Sequence, residues 1–282
     1  NDNIFNGGFT SINNKKAYTL IPSGKKYDKI PVTKFKETHE RDGNVFYDDS
    51  KTIQFSYPSL QQNALTFLKY TINYSNPRFI RKAYLQSYIP IIKSKIVVKI
   101  HKDVKVDYKL FNFDSTKINF KQYSKRKYHY LEWEANNMEP FKYSNGGNYS
   151  ISYHSPHVVL YIDETNINGI KKNYFGTIDD LYNLYDDFVS NVNNNYSEEI
   201  NLLVNKITRG LSDQEKAKAI YYWVQNNIKY IAYEQGYMGF VPCSASEVLK
   251  KRFGDCKGMS SLIKGMMEVA GLPAYYTWVG TR

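Results

Sequence analysis

Cys256 is the residue of this sequence best placed to do covalent chemistry, because it directly follows Asp255 at the start of a helical pattern. Asp255 is a favourable helix N-cap residue. The apolar residues that recur at helical spacing after the cysteine are Met259, Leu262, Ile263, Met266, Met267 and Ala270. The first turn of a helix carries unpaired N–H groups and a partial positive charge, which favour a thiolate and can stabilise an oxyanion. Cys256 is therefore a candidate nucleophile for acyl transfer.

The neighbouring residues have less specific interpretations. Lys257 is interpreted as a solvated first-turn residue whose charge could help the thiolate, and Cys243 as a small core residue. In an oxidising compartment the two thiols could form a disulfide, which would stabilise the fold by roughly 3 kcal/mol. However, a short helix predicted between them spans about 10 Å, which keeps the two Cα atoms beyond the limit of about 7 Å for a disulfide. We therefore predict two free thiols.

A general base for this thiol is missing from the part of the sequence around Cys256. The five histidines are His39, His101, His129, His154 and His157. All of them precede the helical region, and without a base the reaction would lose a factor of very roughly 10² to 10⁴. We therefore expect residues 1–282 to have little acyl-transfer activity on their own. The cysteines and histidines show no metal-ligand spacing, so neither a metal nor another cofactor is predicted.

The helical pattern that positions Cys256 extends over residues 174–282. A first helix is predicted to start near Thr177, and two capping boxes open further helices. The boxes pair Ser212 with Glu215 and Ser244 with Glu247. The helix after Ser212 has an apolar stripe that indicates core packing, formed by Ile220, Trp223, Val224 and Ile228. Gly254 is expected to break the helix before Cys256, and Ala274 to Thr281 are predicted to form a strand.

Residues 1–165 are typical of β-structure. Alternating or β-branched runs at 68–74, 96–100 and 128–133 predict strands. The turn signals of this region are Asp42-Gly43 and Asn145-Gly146-Gly147. We place a linker near Asn166–Gly169. The sequence therefore predicts an α+β chain, with an N-terminal antiparallel β-sandwich-like domain over 1–165 and a helical α/β domain over 174–282.

Composition excludes some classes of function. The chain has 282 residues with 38 Lys and Arg against 27 Asp and Glu, a net charge of +11. The lysines are scattered, so we interpret them as a solvated basic surface and predict no nucleic-acid partner. No apolar run reaches the roughly 18 residues that a membrane helix needs, so no membrane span is predicted. The first residues do not form a signal peptide.

The motifs around Cys256 carry a resemblance to a family. Residues 221–230 read YYWVQNNIKY, residues 254–257 read GDCK, and residues 272–275 read LPAY. This chain therefore resembles the transglutaminase-like superfamily of bacterial cysteine enzymes, with its W-V-x-x-x-I-x-Y helix end and G-D-C-K helix start. The resemblance implies that Cys256 is the catalytic nucleophile. It also implies that a His and an Asp beyond residue 282 complete the site, so that 174–282 would be the N-terminal half of the core.

The first domain resembles a β-rich domain of unknown function that precedes such cores in bacterial envelope proteins. The matching pieces are Ala17-Tyr18-Thr19, Pro22 to Lys25, Phe55 to Leu60 and Tyr130 to Glu134. The resemblance implies a periplasmic or secreted location and a protein or peptide substrate. It also suggests that the chain begins partway into that domain.

Two classes of function stay open. An enzyme would attack an amide carbonyl through Cys256 and pass the acyl group to water or to an amine. A non-catalytic binding or scaffolding module would use the β-domain to recognise a partner and keep a relic core. Hydrolysis and cross-linking share their first half-reaction, so the sequence does not separate them.

Overall fold

The computed structural model describes residues 2–39, 45–48, 51–142, 150–193, 195–234 and 239–279. The chain forms two compact units. One comprises Asn76–Asn183, and the other comprises Asn1–Ser75 together with Leu184–Arg282. Antiparallel sheets dominate the N-terminal part and a helical region follows, which confirms the predicted α+β class. None of the described helices is both long and apolar enough to cross a membrane.

The described part of residues 1–75 is built of strands that pair antiparallel, except for Val45–Asp48, which pairs in parallel with Ala232–Glu234. They are β1 (Asp2–Asn6), β2 (Thr10–Ser23), β3 (Lys26–Pro31), β4 (Lys36–His39), β5 (Val45–Asp48), β6 (Lys51–Phe55) and β7 (Leu65–Tyr74). One sheet has the order β1-β6-β4 and another the order β3-β2-β7. Both sheets contribute apolar residues to a shared core, with Ile4 and Ile53 from the first and Ile12 and Ala17 from the second. The alternation at 68–74 therefore predicted β7 correctly.

The unit Asn76–Asn183 contains two further sheets. Its strands are β8 (Ala83–Tyr84), β9 (Ile91–His101), β10 (Val104–Phe111), β11 (Ile118–Lys125), β12 (Tyr128–Met138), β13 (His157–Ile167) and β14 (Ile170–Asn173). The orders are β11-β12-β9 and β10-β13-β14, with β8 also paired to β13. The fully buried Trp133 of the first sheet meets the ring of Tyr108 of the second at 5.0 Å. The strands predicted at 96–100 and 128–133 are confirmed by β9 and β12.

The region after residue 177 is helical. Its elements are α1 (Ile178–Val189), α2 (Glu198–Thr208), α3 (Asp213–Asn227), β15 (Lys229–Tyr230), β16 (Ala232–Glu234), α4 (Ala245–Lys251), β17 (Phe253–Gly254) and α5 (Cys256–Val269). Helices α2 to α5 pack around one apolar core. Its central buried members are Ile200, Val204, Ile220, Val224, Val248, Leu249, Leu262 and Met266. The predicted stripe of α3 is confirmed, because Ile220 and Val224 are completely buried and Trp223 packs against the same core.

Two predictions about connections need correction. Asn168 and Gly169, where we placed a linker, form the tight turn between β13 and β14, and both have a left-handed φ that such turns require. The strand predicted from Ala274 is wrong for the described residues 274–279, which belong to no sheet and no helix. A strand needs a hydrogen-bonded neighbour as well as a favourable sequence. The predicted turns at 42–43 and 145–147 lie outside the described residues.

A third correction concerns the end of α4. Arg252, not Gly254, ends the helix, with a left-handed φ of 60° and its backbone N–H bonded to the carbonyl of Val248. Gly254 serves close packing instead. A Cβ on it would lie 3.2 Å from a methyl group of Val248. The helix therefore ends before Gly254, the residue that the sequence predicted to break it.

Candidate active site

Cys256 is the first residue of α5, as the sequence predicted, and its side chain is exposed. Asp255 is the N-cap. Its Oδ1 accepts a hydrogen bond of 2.8 Å from the backbone N–H of Gly258, and the residue is 8% exposed. The cap fixes the direction in which α5 starts and satisfies one of its unpaired donors. The thiol therefore lies at the positive end of a helix of 14 residues.

A short parallel strand pair holds the segment before Cys256. Strand β17 pairs with β15, and the backbone N–H of Ile231 donates to the carbonyl of Gly254 at 3.0 Å. On the same ladder, the N–H of Lys229 donates to the carbonyl of Arg252 at 2.9 Å. Glycine at 258 lets the first turn of α5 approach α4, since a Cβ there would lie 3.2 Å from Val248. Cys256 thus sits on a backbone that contacts hold on both sides.

Tyr230 is a neighbour of the Cys256 thiol that the sequence did not indicate. Burial raises the pKa of its phenol, and so do the charges of Cys256 and Asp255 and a hydrogen bond between the phenol and the Cys256 side chain. The phenol is therefore a protonated donor beside the sulfur at neutral pH. In the sequence, Tyr230 is the last residue of the motif at 221–230 and has no other distinguishing feature. A residue two positions past an apolar Ile228 carries no signal that it will face a thiol 26 residues later.

Lys257 is not the solvated residue that the sequence suggested. Its ammonium group forms a short ion pair with Asp255 Oδ2, and its side chain is only 18% exposed. The two oxygens of Asp255 are thus both occupied, one by the helix N–H and the other by this lysine. The pairing places a positive charge one residue from Cys256.

Cys243 is a half-buried thiol packed against the helical core, in agreement with its interpretation as a core residue. Burial raises its pKa. Both thiols are free. A Cβ on Gly258 would lie 3.9 Å from the Cβ of Cys243, so this thiol packs beside the first turn of α5. A buried thiol with a raised pKa is a poor nucleophile, which leaves Cys256 as the reactive candidate.

Cys256 lines a groove of about 900 Å³ within the unit that contains it. One side is formed by α5, including Ser260 and Ile263, and another by Phe240 and Pro242. Residues 272–279 form a further wall, and the ring of Trp278 there meets that of Tyr185 at 4.4 Å. Most of the lining is apolar. The groove can therefore place an extended chain or an apolar side chain against the thiol.

The described residues that line this groove include no histidine. His39 lies on β4, and the other four lie in the unit Asn76–Asn183. Several have local partners: His101 pairs with Asp103 at 3.3 Å, and the buried His157 contacts the carbonyl of Ser155 at 2.9 Å. Among the described residues, no cluster of three or more His, Cys, Asp or Glu side chains could bind a metal ion.

Two family models match the chain. The Domain of Unknown Function DUF3857 matches residues 4–142, and the Transglutaminase-like superfamily core matches residues 201–280. The second match contains Tyr230, Asp255 and Cys256 and the wall of the groove at 272–279. The motifs that suggested the resemblance therefore lie inside the matched region.

A solved structure has a similar fold. It is a "putative protease" from Parabacteroides distasonis ATCC 8503, with a TM-score of 0.68 at 17% sequence identity. The match covers 96% of this chain and 51% of that one, so this chain spans about half the length of that structure. No curated protein matches the chain. The chain thus matches the DUF3857 model in its N-terminal part and the model of the Transglutaminase-like superfamily in its C-terminal part, as the sequence motifs suggested.

Proposed function

We propose that Cys256 is the nucleophile of an acyl-transfer reaction on a protein or peptide amide. Its sulfur would form a bond to the carbonyl carbon, and the C–N bond would break as the nitrogen takes up a proton and leaves as an amine. Water or a second amine would then take the acyl group from the sulfur and restore the thiol. These two outcomes correspond to hydrolysis and cross-linking.

The observation that supports this proposal is the position of an exposed thiol on the capped first turn of α5, inside a groove. The unpaired N–H groups in the first turn of a helix can stabilise an oxyanion that forms beside Cys256. The Tyr230 phenol adds a donor on the sulfur. Each of these features stabilises negative charge on sulfur or on the attacked oxygen, which is what the first half-reaction requires.

A proton acceptor for the reaction would come from a part of the protein outside residues 1–282. No histidine lines the described groove, and this chain spans only about half of the structure that it resembles. On this proposal the 282 residues alone would react with strong electrophiles but turn over amides slowly. The loss of general-base assistance corresponds to a factor of very roughly 10² to 10⁴ in rate.

The proposal is tested first by alkylation and then by turnover. Native protein is treated with iodoacetamide at neutral pH, and labelling of Cys256 and of Cys243 is followed by peptide mass spectrometry. We expect Cys256 to react at least about tenfold faster, because Cys243 is half-buried with a raised pKa. In the full-length protein, release of amine from a peptide amide should be lost in Cys256→Ala and kept in Cys243→Ala. Equal labelling of the two thiols, or turnover by Cys256→Ala, would contradict the proposal.

The alternative function is a non-catalytic binding or scaffolding module of the cell envelope. One observation favours it: the groove has no histidine among its described residues. It predicts that the full-length protein turns over no amide even though Cys256 can be alkylated. A periplasmic or secreted location belongs to both proposals and rests on the family resemblance. Fractionation of cells that produce the full-length protein tests it.

A further inference from the structure

We propose that Asn193 is a positioning residue that sets the wall of the Cys256 groove, an inference that rests on the proposed nucleophilic role of Cys256. Its side chain joins three elements. Its Oδ1 accepts a 2.8 Å hydrogen bond from the backbone N–H of Ala245, the first residue of α4. Its Nδ2 lies 3.1 Å from the carbonyl oxygen of Ser261 on α5 and 3.3 Å from the hydroxyl of Tyr276 in the wall at 272–279.

The orientation of this amide is fixed by its partners. The N–H of Ala245 can only donate, so the atom that it contacts must be the amide oxygen. The nitrogen then faces a carbonyl, which can only accept. Ser261 is completely buried, and its hydroxyl lies 3.2 Å from Asn193 Nδ2. Removing the amide would take away the hydrogen-bond acceptor of the Ala245 N–H, which would favour a shift of α4 relative to α5.

The link to the groove runs through Tyr276. This residue and its neighbours from 272 to 279 line the groove that Cys256 also lines. The wall belongs to no sheet, so no backbone ladder fixes it. Burial raises the pKa of the Tyr276 phenol, which therefore stays protonated and hydrogen-bonded. A second contact holds the same ring, since the ammonium group of Lys264 lies 5.5 Å from its centre. Asn193 is thus a polar tie between the wall, α5 and the start of α4, beside the hydrogen bond between Tyr276 and Ser261.

A selectivity measurement tests this role. Rates of Cys256 alkylation are measured with iodoacetamide, which is small, and with N-phenylmaleimide, which is bulky and apolar. In Asn193→Ala and in Tyr276→Phe, the ratio of the N-phenylmaleimide rate to the iodoacetamide rate should fall by roughly threefold to tenfold, because the apolar wall no longer holds the phenyl ring beside the thiol. A merely structural role would lower stability and leave this ratio unchanged.

Thr208→Val is the matched control. Thr208 is buried, and its hydroxyl donates at 2.7 Å to the carbonyl of Val204, but it does not line the groove. This variant should lose stability and keep the wild-type ratio. An unchanged ratio in folded Asn193→Ala, or an equal fall in Thr208→Val, would overturn the proposal. If Asn193→Ala does not fold, the ratio of alkylation rates in Tyr276→Phe tests the proposal by the same criterion. Failure of the nucleophile proposal would look different: in the wild type Cys256 would react no faster than Cys243.

Discussion

Replacing Gly265 by alanine should destabilise the helical part of the protein, although alanine is the better helix former. Gly265 lies in α5 where that helix meets α4 and Tyr196. A Cβ at this position would lie 2.7 Å from Cε1 of Tyr196 and 2.9 Å from the Cβ of Ala245. Neither neighbour can move freely. The Tyr196 hydroxyl forms a short hydrogen bond to Glu268, and Ala245 begins α4 on the Asn193 bond.

Two opposing effects set the change in the free energy of unfolding that Gly265→Ala causes. Exchanging glycine for alanine inside a helix stabilises it by about 1 kcal/mol. Overpacking a filled core typically costs about 1–3 kcal/mol. Because two contacts fall below 3.0 Å at once, we expect a cost near the upper end of that range. The net result is a loss of about 1–2 kcal/mol in the free energy of unfolding, or a fall in Tm of roughly 2–8 °C.

The assay is chemical denaturation followed by circular dichroism, which gives the free energy of unfolding directly. A double-mutant cycle with Ala245→Gly supplies the control, since that change removes one of the two atoms in conflict. The loss caused by Gly265→Ala should be smaller in the Ala245→Gly background. A Gly265→Ala protein as stable as the wild type would refute the reasoning, because it would mean that α4 and α5 separate at no cost.

Three further predictions concern the ends of α5. Tyr230→Phe should slow alkylation of Cys256 by iodoacetamide at neutral pH by roughly threefold to tenfold, through loss of a donor to sulfur, whereas Tyr222→Phe should not. Asp255→Ala should lower the free energy of unfolding by about 1 kcal/mol, and Asp255→Ser, which keeps a cap, should lose less in the same denaturation assay. Burial opposes ionisation of Glu268, but its bonds to Lys264 and Tyr196 lower its pKa below 4.5, so stability is lost as pH falls through that lowered value. When acid unfolding is followed by circular dichroism, the Glu268→Gln variant should not show this loss of stability.

The parts of the site that the sequence predicted are those governed by local rules. Asp255 caps α5 because a short acidic side chain directly before an apolar helix can reach a first-turn N–H, and the structure shows that bond to Gly258. The position of Cys256 follows from the same spacing. The stripe of α3 likewise follows from a period of 3.6 residues. These relations connect residues a few positions apart, and a single sequence contains them.

The parts that the sequence did not predict depend on residues far apart in the chain. Tyr230 reaches Cys256 only because β15 and β17 pair in parallel, a contact with no turn signal to announce it. Asn193 meets Tyr276 across 83 residues. The error about the strand from Ala274 has the same origin, because pairing depends on a neighbour and not on the segment alone. The sequence favoured a solvated Lys257. Its ion pair with Asp255 depends on the burial of Asp255, which only the folded chain determines.

On the proposed mechanism, Tyr230, Lys257 and Asp255 would stabilise the Cys256 thiolate but would not accept its proton. Tyr230 is a donor with a raised pKa, so it stabilises a sulfur anion and does not remove a proton. Lys257 is a cation held in an ion pair, and Asp255 has one oxygen bonded to that cation and the other to the helix. None of the three can therefore serve as a base without breaking the arrangement that positions the thiol. On the proposed mechanism these three residues would stabilise the thiolate, and another group would have to accept the proton. The proposed mechanism therefore predicts that residues 1–282 alone are alkylated at Cys256 but do not turn over an amide.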